Sequence, residues 1–159
     1  MKCVVQRVSR ARVWVEEGLS AGHDQATGPG LMALVGVERG DDPAFADWLA
    51  DKLANLRIFE DEAGKMNRSV LDLRPRGEVM IVSQFTLAGD ARKGNRPSFV
   101  NAEAPDLAAP IVERVARRLE TVHALTVARG AFGASMRIEL VNEGPVTIIL
   151  DREPADARS

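Results

Sequence analysis

Cys3-Val4-Val5-Gln6-Arg7-Val8-Ser9-Arg10-Ala11-Arg12-Val13-Trp14-Val15 opens the chain as two apolar runs with a tight connection at Ser9-Arg10. Val13 and Val15 alternate with Arg12 and Trp14, which gives the second run one half-exposed face. Leu31-Met32-Ala33-Leu34-Val35-Gly36-Val37 reads as a buried strand whose Gly36 marks a bulge or a close approach. Glu78-Val79-Met80-Ile81-Val82-Ser83-Gln84-Phe85 is the strongest strand pattern in the sequence. Leu125-Thr126-Val127-Ala128 and Met136-Arg137-Ile138-Glu139-Leu140-Val141 flank Gly130-Ala131-Phe132-Gly133, and Val146-Thr147-Ile148-Ile149-Leu150 closes the series. These strands come in hairpin-like runs, not in alternation with helices. That order implies an α+β fold with mainly antiparallel sheet and argues against a doubly wound one.

Two helices interrupt the strands. Asp42-Pro43 is a helix start, an N-cap followed by proline at the first helical position. Phe45, Trp48, Leu49, Leu53 and Leu56 then recur at three- and four-residue steps and make one apolar stripe. The second helix is expected from about Pro105 to Val122, with the stripe Leu107, Ile111, Val115, Leu119 and Val122. Gly18 to Gly30 reads as loop or short strand, Ser69 to Leu73 as a short strand or loop, and residues 88–98 as a polar loop.

Composition narrows the class. The chain has 159 residues, enough for one domain with a real core, here expected over residues 1–151. Residues 152–159 are expected to be a flexible tail. The net charge of -2 carries no global basic signature, although a local basic patch stays compatible with it. One cysteine, Cys3, allows no intrachain disulfide and favours an intracellular, cytoplasmic location. The longest apolar run is too short to span a bilayer, so no membrane role is expected.

The usual catalytic devices are missing from the sequence. Only His23, His123 and Cys3 stand as strong metal-ligand candidates, without ligand-like spacing, so no metal and no cofactor is expected. His123 follows a helix end and is expected to complement its C-terminus, while His23 is expected to be solvated. Ser83 lacks the nucleophile elbow, and no Walker or dinucleotide-binding loop is present. Hydrolysis would then rest on backbone dipoles or on a group of the substrate. Ser83-Gln84-Phe85-Thr86-Leu87 ends the best strand, where Ser83 and Thr86 cap a turn or the N–H groups of Phe85 and Thr86 form an oxyanion hole. Arg7 is open to a strand-face ion pair, Phe132 to ordinary core packing, and Arg92, Lys93 and Arg96 to a solvated loop or phosphate contacts. In Asn142-Glu143-Gly144-Pro145-Val146-Thr147, a Gly-Pro step breaks a strand-like run. Such local inconsistencies mark functional sites.

Read together, Gln6-Arg7-Val8, Lys65-Met66-Asn67, Ser83-Gln84-Phe85-Thr86-Leu87, Arg96-Pro97-Ser98-Phe99, Gly130-Ala131-Phe132-Gly133-Ala134 and Asn142-Glu143-Gly144-Pro145-Val146-Thr147 resemble the D-aminoacyl-tRNA deacylases. The motifs occur in family order and span about residues 1–151. Glu143 stands where that family often has aspartate.

The resemblance implies a barrel-like core with the two helices outside. It implies a cytoplasmic hydrolase acting in translation quality control on D-aminoacyl-tRNA, and on glycyl-tRNA. It implies a homodimer, with Gly144-Pro145 as a cis peptide reaching into the neighbouring subunit's pocket and blocking the direction of an L side chain. Arg7 would orient that corner. Ser83, Gln84, Phe85 and Thr86 would line the reacting end, and Phe132 the adenosine side. Arg92, Lys93 and Arg96 are the expected tRNA contacts. The rivals are a nucleic-acid-binding dimer of the same fold without turnover, and a general small-ester hydrolase using Thr86 as nucleophile.

Overall fold

A computed structural model describes residues 1–152. Its organising element is β1 (Lys2–Trp14), one continuous strand. The expected tight connection at Ser9-Arg10 is absent. Instead the pairing register of β1 shifts between Gln6 and Val8 and between Val8 and Arg10, so the strand is irregular there without turning back. β1 pairs antiparallel with β2 (Asp24–Thr27), β3 (Gly30–Gly36) and β8 (Arg137–Asp151). β8 unites the two downstream runs expected as separate strands.

β3 continues the sheet into β6 (Glu78–Ser83) and β7 (Thr126–Arg129), and both of these steps are parallel. β4 (Phe59–Glu60) and β5 (Met66–Arg68) make a separate antiparallel pair. Antiparallel pairings thus predominate in a mixed, barrel-like sheet, in agreement with the expected fold class. The parallel steps exist because helices provide the crossovers: α1 (Pro43–Asn55) lies between β3 and β6, and α2 (Pro105–Thr121) between β6 and β7.

Alternation along the strands feeds two apolar clusters. Leu31, Ala33, Val35, Val79 and Ile81 face the helices and meet Phe45, Leu49, Leu53, Ile111, Val115 and Leu119. Met32, Met80, Val82, Val8 and Val13 fill the other face. Burial of both faces is why β3 and β6 read as nearly continuous apolar runs. Asp42 caps α1 as expected, accepting from the Ala44 and Phe45 N–H groups. Leu107 and Val122, expected in the buried stripe of α2, are exposed; Ala108, Val112 and Ala116 take the inner positions. Residues 70–72 form a 3-10 turn.

The helices are also tied to each other. Arg114 makes a bidentate pair with Asp47 at 2.8 and 2.7 Å, and Arg118 with Asp51 at 2.8 and 2.8 Å. His123 bonds Asp51 at 2.7 Å and so fastens the end of α2 to α1 through a side chain. His23, expected in solvent, bonds the Arg129 carbonyl at 2.8 Å. Arg152, placed in the tail by composition, bonds the Met1 carbonyl through its N–H and stacks its guanidinium over Phe45 and Trp48. The rest of the expected tail lies outside the described residues. No described helix is long and apolar enough to cross a membrane.

Candidate functional site

Two constructions carry the sequence-derived candidates, and they occupy different parts of the chain. The first lies where β6 ends. The Gln84 N–H is held by the Val35 carbonyl at 2.7 Å, and the chain then winds into a 3-10 turn over Phe85–Ala88. Gly36 is a close approach: a Cβ there would sit 2.9 Å from the Gln84 carbonyl oxygen and 2.9 Å from Leu87 Cβ. A side chain at 36 would push the turn off β3.

Because the turn begins abruptly, its first donors stay unused. The backbone N–H groups of Phe85 and Thr86 have no protein acceptor among the described residues. The Thr86 hydroxyl accepts from Gln84 Nε2 at 2.5 Å, so a side-chain amide, not a base, faces it. A cleft of about 480 Å³ opens beside the turn, lined by Ser83, Gln84, Phe85, Phe99 and Phe132. Its three aromatic rings are 59%, 39% and 41% exposed in that order. Phe85 and Phe99 pack edge to face at 5.2 Å. Aromatic rings left in water around one cleft are surfaces for a planar ligand.

The second construction is the corner in β8. Between the pairs Gln6↔Thr147 and Val8↔Asn142, the single residue Arg7 faces residues 143–146 of β8. That excursion contains Gly144-Pro145, whose peptide is cis. Gly144 has φ +137°, and a Cβ on it would meet Val146 Cγ2 at 2.7 Å and Arg7 Nη2 at 3.1 Å. Asn142 staples the excursion, accepting from Val146 N–H at 2.8 Å and donating to Thr147 Oγ1 at 3.1 Å. Arg7 is buried and donates to the carbonyls of Glu143 at 2.9 Å and Ile58 at 2.6 Å, with Glu60 at 3.9 Å. These partners on β4 and the segment before it were not legible in the motifs, since nothing in Ile58 or Glu60 announces a role for its backbone or charge.

Ser83, Gln84, Phe85 and Phe132 therefore come together, and Arg7 meets Gly144-Pro145, but the corner does not line the cleft of its own chain. The loop candidates separate too. Arg92 is bound by Asp90 at 2.9 and 2.6 Å, and this pairing pulls the Asp90 carboxyl down to about 2. Lys93 and Arg96 are exposed on the same loop, which is closed at its base by paired hydrogen bonds between Asp90 and Ser98. Among the described residues, no cluster of three or more His, Cys, Asp or Glu could hold a metal ion.

Comparison with known proteins assigns the chain to a family. A sequence model of the family described as D-Tyr-tRNA(Tyr) deacylase matches residues 4–151. A D-aminoacyl-tRNA deacylase of Heliobacterium modesticaldum is 54% identical over 95% of this chain and 96% of its own length. One from Thermomicrobium roseum is 52% identical over 95% of this chain and 94% of its own. A solved structure described as c-Myc DNA Unwinding Element Binding Protein superposes with TM-score 0.84 at 38% identity, covering 96% of this chain and 99% of that one. With that model spanning nearly the whole chain and relatives more than half identical to it, the chain belongs to the D-Tyr-tRNA(Tyr) deacylase family.

Proposed function

We propose that this protein hydrolyses the ester bond of D-aminoacyl-tRNA, releasing free D-amino acid and tRNA. The observation that carries the reading is the pair of unused N–H groups at Phe85 and Thr86, beside a cleft lined by aromatic rings. In this reading they receive the oxyanion of the tetrahedral intermediate. A donor of that kind contributes about 10²–10³ in rate. Thr86 does not attack, because its hydroxyl is engaged by Gln84 and no base stands beside it. The terminal ribose 2′-hydroxyl of the tRNA activates the water. The adenine lies on the Phe132 side.

Chiral selection belongs to the corner. The carbonyls of Gly144 and Pro145 occupy the direction of an L side chain, and Arg7, bonded to the preceding Glu143 carbonyl, keeps the corner aimed. Since the corner does not line its own cleft, a second copy of the chain supplies it, and the working unit is a homodimer. A tRNA substrate puts the protein in the compartment of translation, the cytoplasm. Exclusion of the L direction is indifferent to what the D side chain is, and glycine offers nothing to exclude.

The assay that tests the reading compares D-Tyr-tRNA, L-Tyr-tRNA and Gly-tRNA at equal enzyme. D-Tyr-tRNA should be cleaved fastest, Gly-tRNA more slowly, and L-Tyr-tRNA spared. Protection of glycine as complete as that of L-tyrosine would remove exclusion by the corner. Binding of tRNA without release of any amino acid would point to a nucleic-acid-binding protein without turnover.

A further inference from the structure

Arg39 lines the same cleft as Phe85, Phe99 and Phe132, yet it belongs to none of the sequence motifs. It follows β3 on an exposed loop, and its backbone is fixed: the Arg39 N–H donates to the Asn101 carbonyl at 2.9 Å, and Glu38 bridges to Ala102. Its guanidinium is exposed and has no hydrogen-bond or ion-pair partner among the described residues. Several other arginines are already committed: Arg92 to Asp90, Arg114 to Asp47, Arg118 to Asp51, and Arg129 to Glu113 and Glu120. The one carboxylate that lines the cleft, Glu103, accepts from the Ala104 N–H at 2.8 Å just before α2. An uncommitted guanidinium on a firm backbone, beside rings that accept a base, is the arrangement that reads a nucleotide through its phosphate.

We propose that Arg39 binds the phosphate on the 5′ side of the nucleotide seated among Phe85, Phe99 and Phe132, and so anchors the 3′ end of the tRNA in the cleft. The inference rests on the proposed tRNA substrate. Phe99 closes one wall and directly follows the loop that carries Lys93 and Arg96. Arg39 is a binding residue that sets affinity and register; it takes no part in bond breaking.

The test uses the full chain, uncharged tRNA, adenosine 5′-monophosphate and adenosine. Adenosine 5′-monophosphate should compete with tRNA for the wild-type protein more strongly than adenosine does. Arg39→Ala should abolish that preference, lower the log–log salt slope of tRNA binding by about 1, and raise KM with kcat nearly unchanged. Arg39→Lys should restore part of the preference. Lys52→Ala, an exposed cation on the far side of α1, should leave the slope alone. An unchanged slope and an unchanged preference in Arg39→Ala overturn the proposal. So does an equal fall in slope with Lys52→Ala, which would mean a diffuse field instead of a contact. If wild type binds tRNA with the phosphate preference but releases no D-amino acid, the deacylase reading fails and the phosphate contact stands.

Discussion

The strand-end cleft and the Gly-Pro corner are built by opposite rules. At the corner the groups that flank the Gly-Pro step are partnered: Arg7 holds the Glu143 and Ile58 carbonyls, and Asn142 holds Val146 and Thr147. At the cleft the polar groups lack partners among the described residues: two backbone N–H groups and one guanidinium are unpaired, beside three exposed aromatic rings. A partnered surface is stiff and acts as a template, while an unpartnered one is a receptor whose groups await the ligand. A surface that excludes must not yield, and a surface that stabilises charge must be open to it.

The widest separation between the two should appear at the cleft. A substrate ending in 2′-deoxyadenosine, acylated at the 3′ position, should react about 10²–10⁴-fold more slowly, the range of a lost general acid–base partner. Thr86→Ala should change turnover by less than about fivefold, since the hydroxyl is already occupied. Single-turnover deacylation measures both. Complete loss with Thr86→Ala in a folded protein that binds tRNA would reverse the assignment and make the threonine the nucleophile.

The corner should respond in stability as well as in rate. Arg7→Ala leaves the Glu143 and Ile58 carbonyls without their charged donor, at about 1.5–3 kcal/mol for each such bond. Thermal unfolding should fall by roughly 6–24 °C, and turnover on D-Tyr-tRNA by about tenfold to a hundredfold as the corner loosens. A variant that melts earlier but cleaves at the wild-type rate would confine Arg7 to a structural task.

The smallest effect lies outside both regions. Arg118 and His123 hold the Asp51 carboxyl down at about 2, against 3.8 ordinarily. A depressed carboxylate contributes stability above the ordinary value and loses it as pH falls toward the depressed one. Acid unfolding followed between pH 4 and pH 2 should be shallower in Asp51→Asn, whereas D/L selectivity at neutral pH should stay unchanged. A selectivity shift would tie the helix layer to the corner.

What was legible in the sequence follows the same division. Asp42-Pro43 and the stripe of α1 could be read because capping and periodicity are local. The parallel steps β3–β6 and β6–β7 were not, because no short stretch encodes which strand lies beside it. Ser9-Arg10 looked like a turn, being polar between apolar runs, yet it sits in a continuous strand opposite a shifted register. Leu107 and Val122 fell on the stripe of α2 by spacing alone, but they lie in its first and just beyond its last turn, where little packs on them. The motif residues of the site were legible through resemblance. Arg39 was not, since a lone arginine in a polar loop carries no pattern until the cleft exists.

The pairing of β1 with β8 has a consequence for synthesis. Gln6 donates to Thr147 across 141 residues of chain. A ribosome makes β1 long before β8, so β1 waits for its partner while the residues between them are made. Arg7 sits on the early strand and Gly144-Pro145 on the late one. The nascent protein can form its first helix and much of its sheet while still attached, but the Gly-Pro corner has no existence until the end of β8 leaves the exit tunnel. The corner is therefore assembled only once β8 has been made and released.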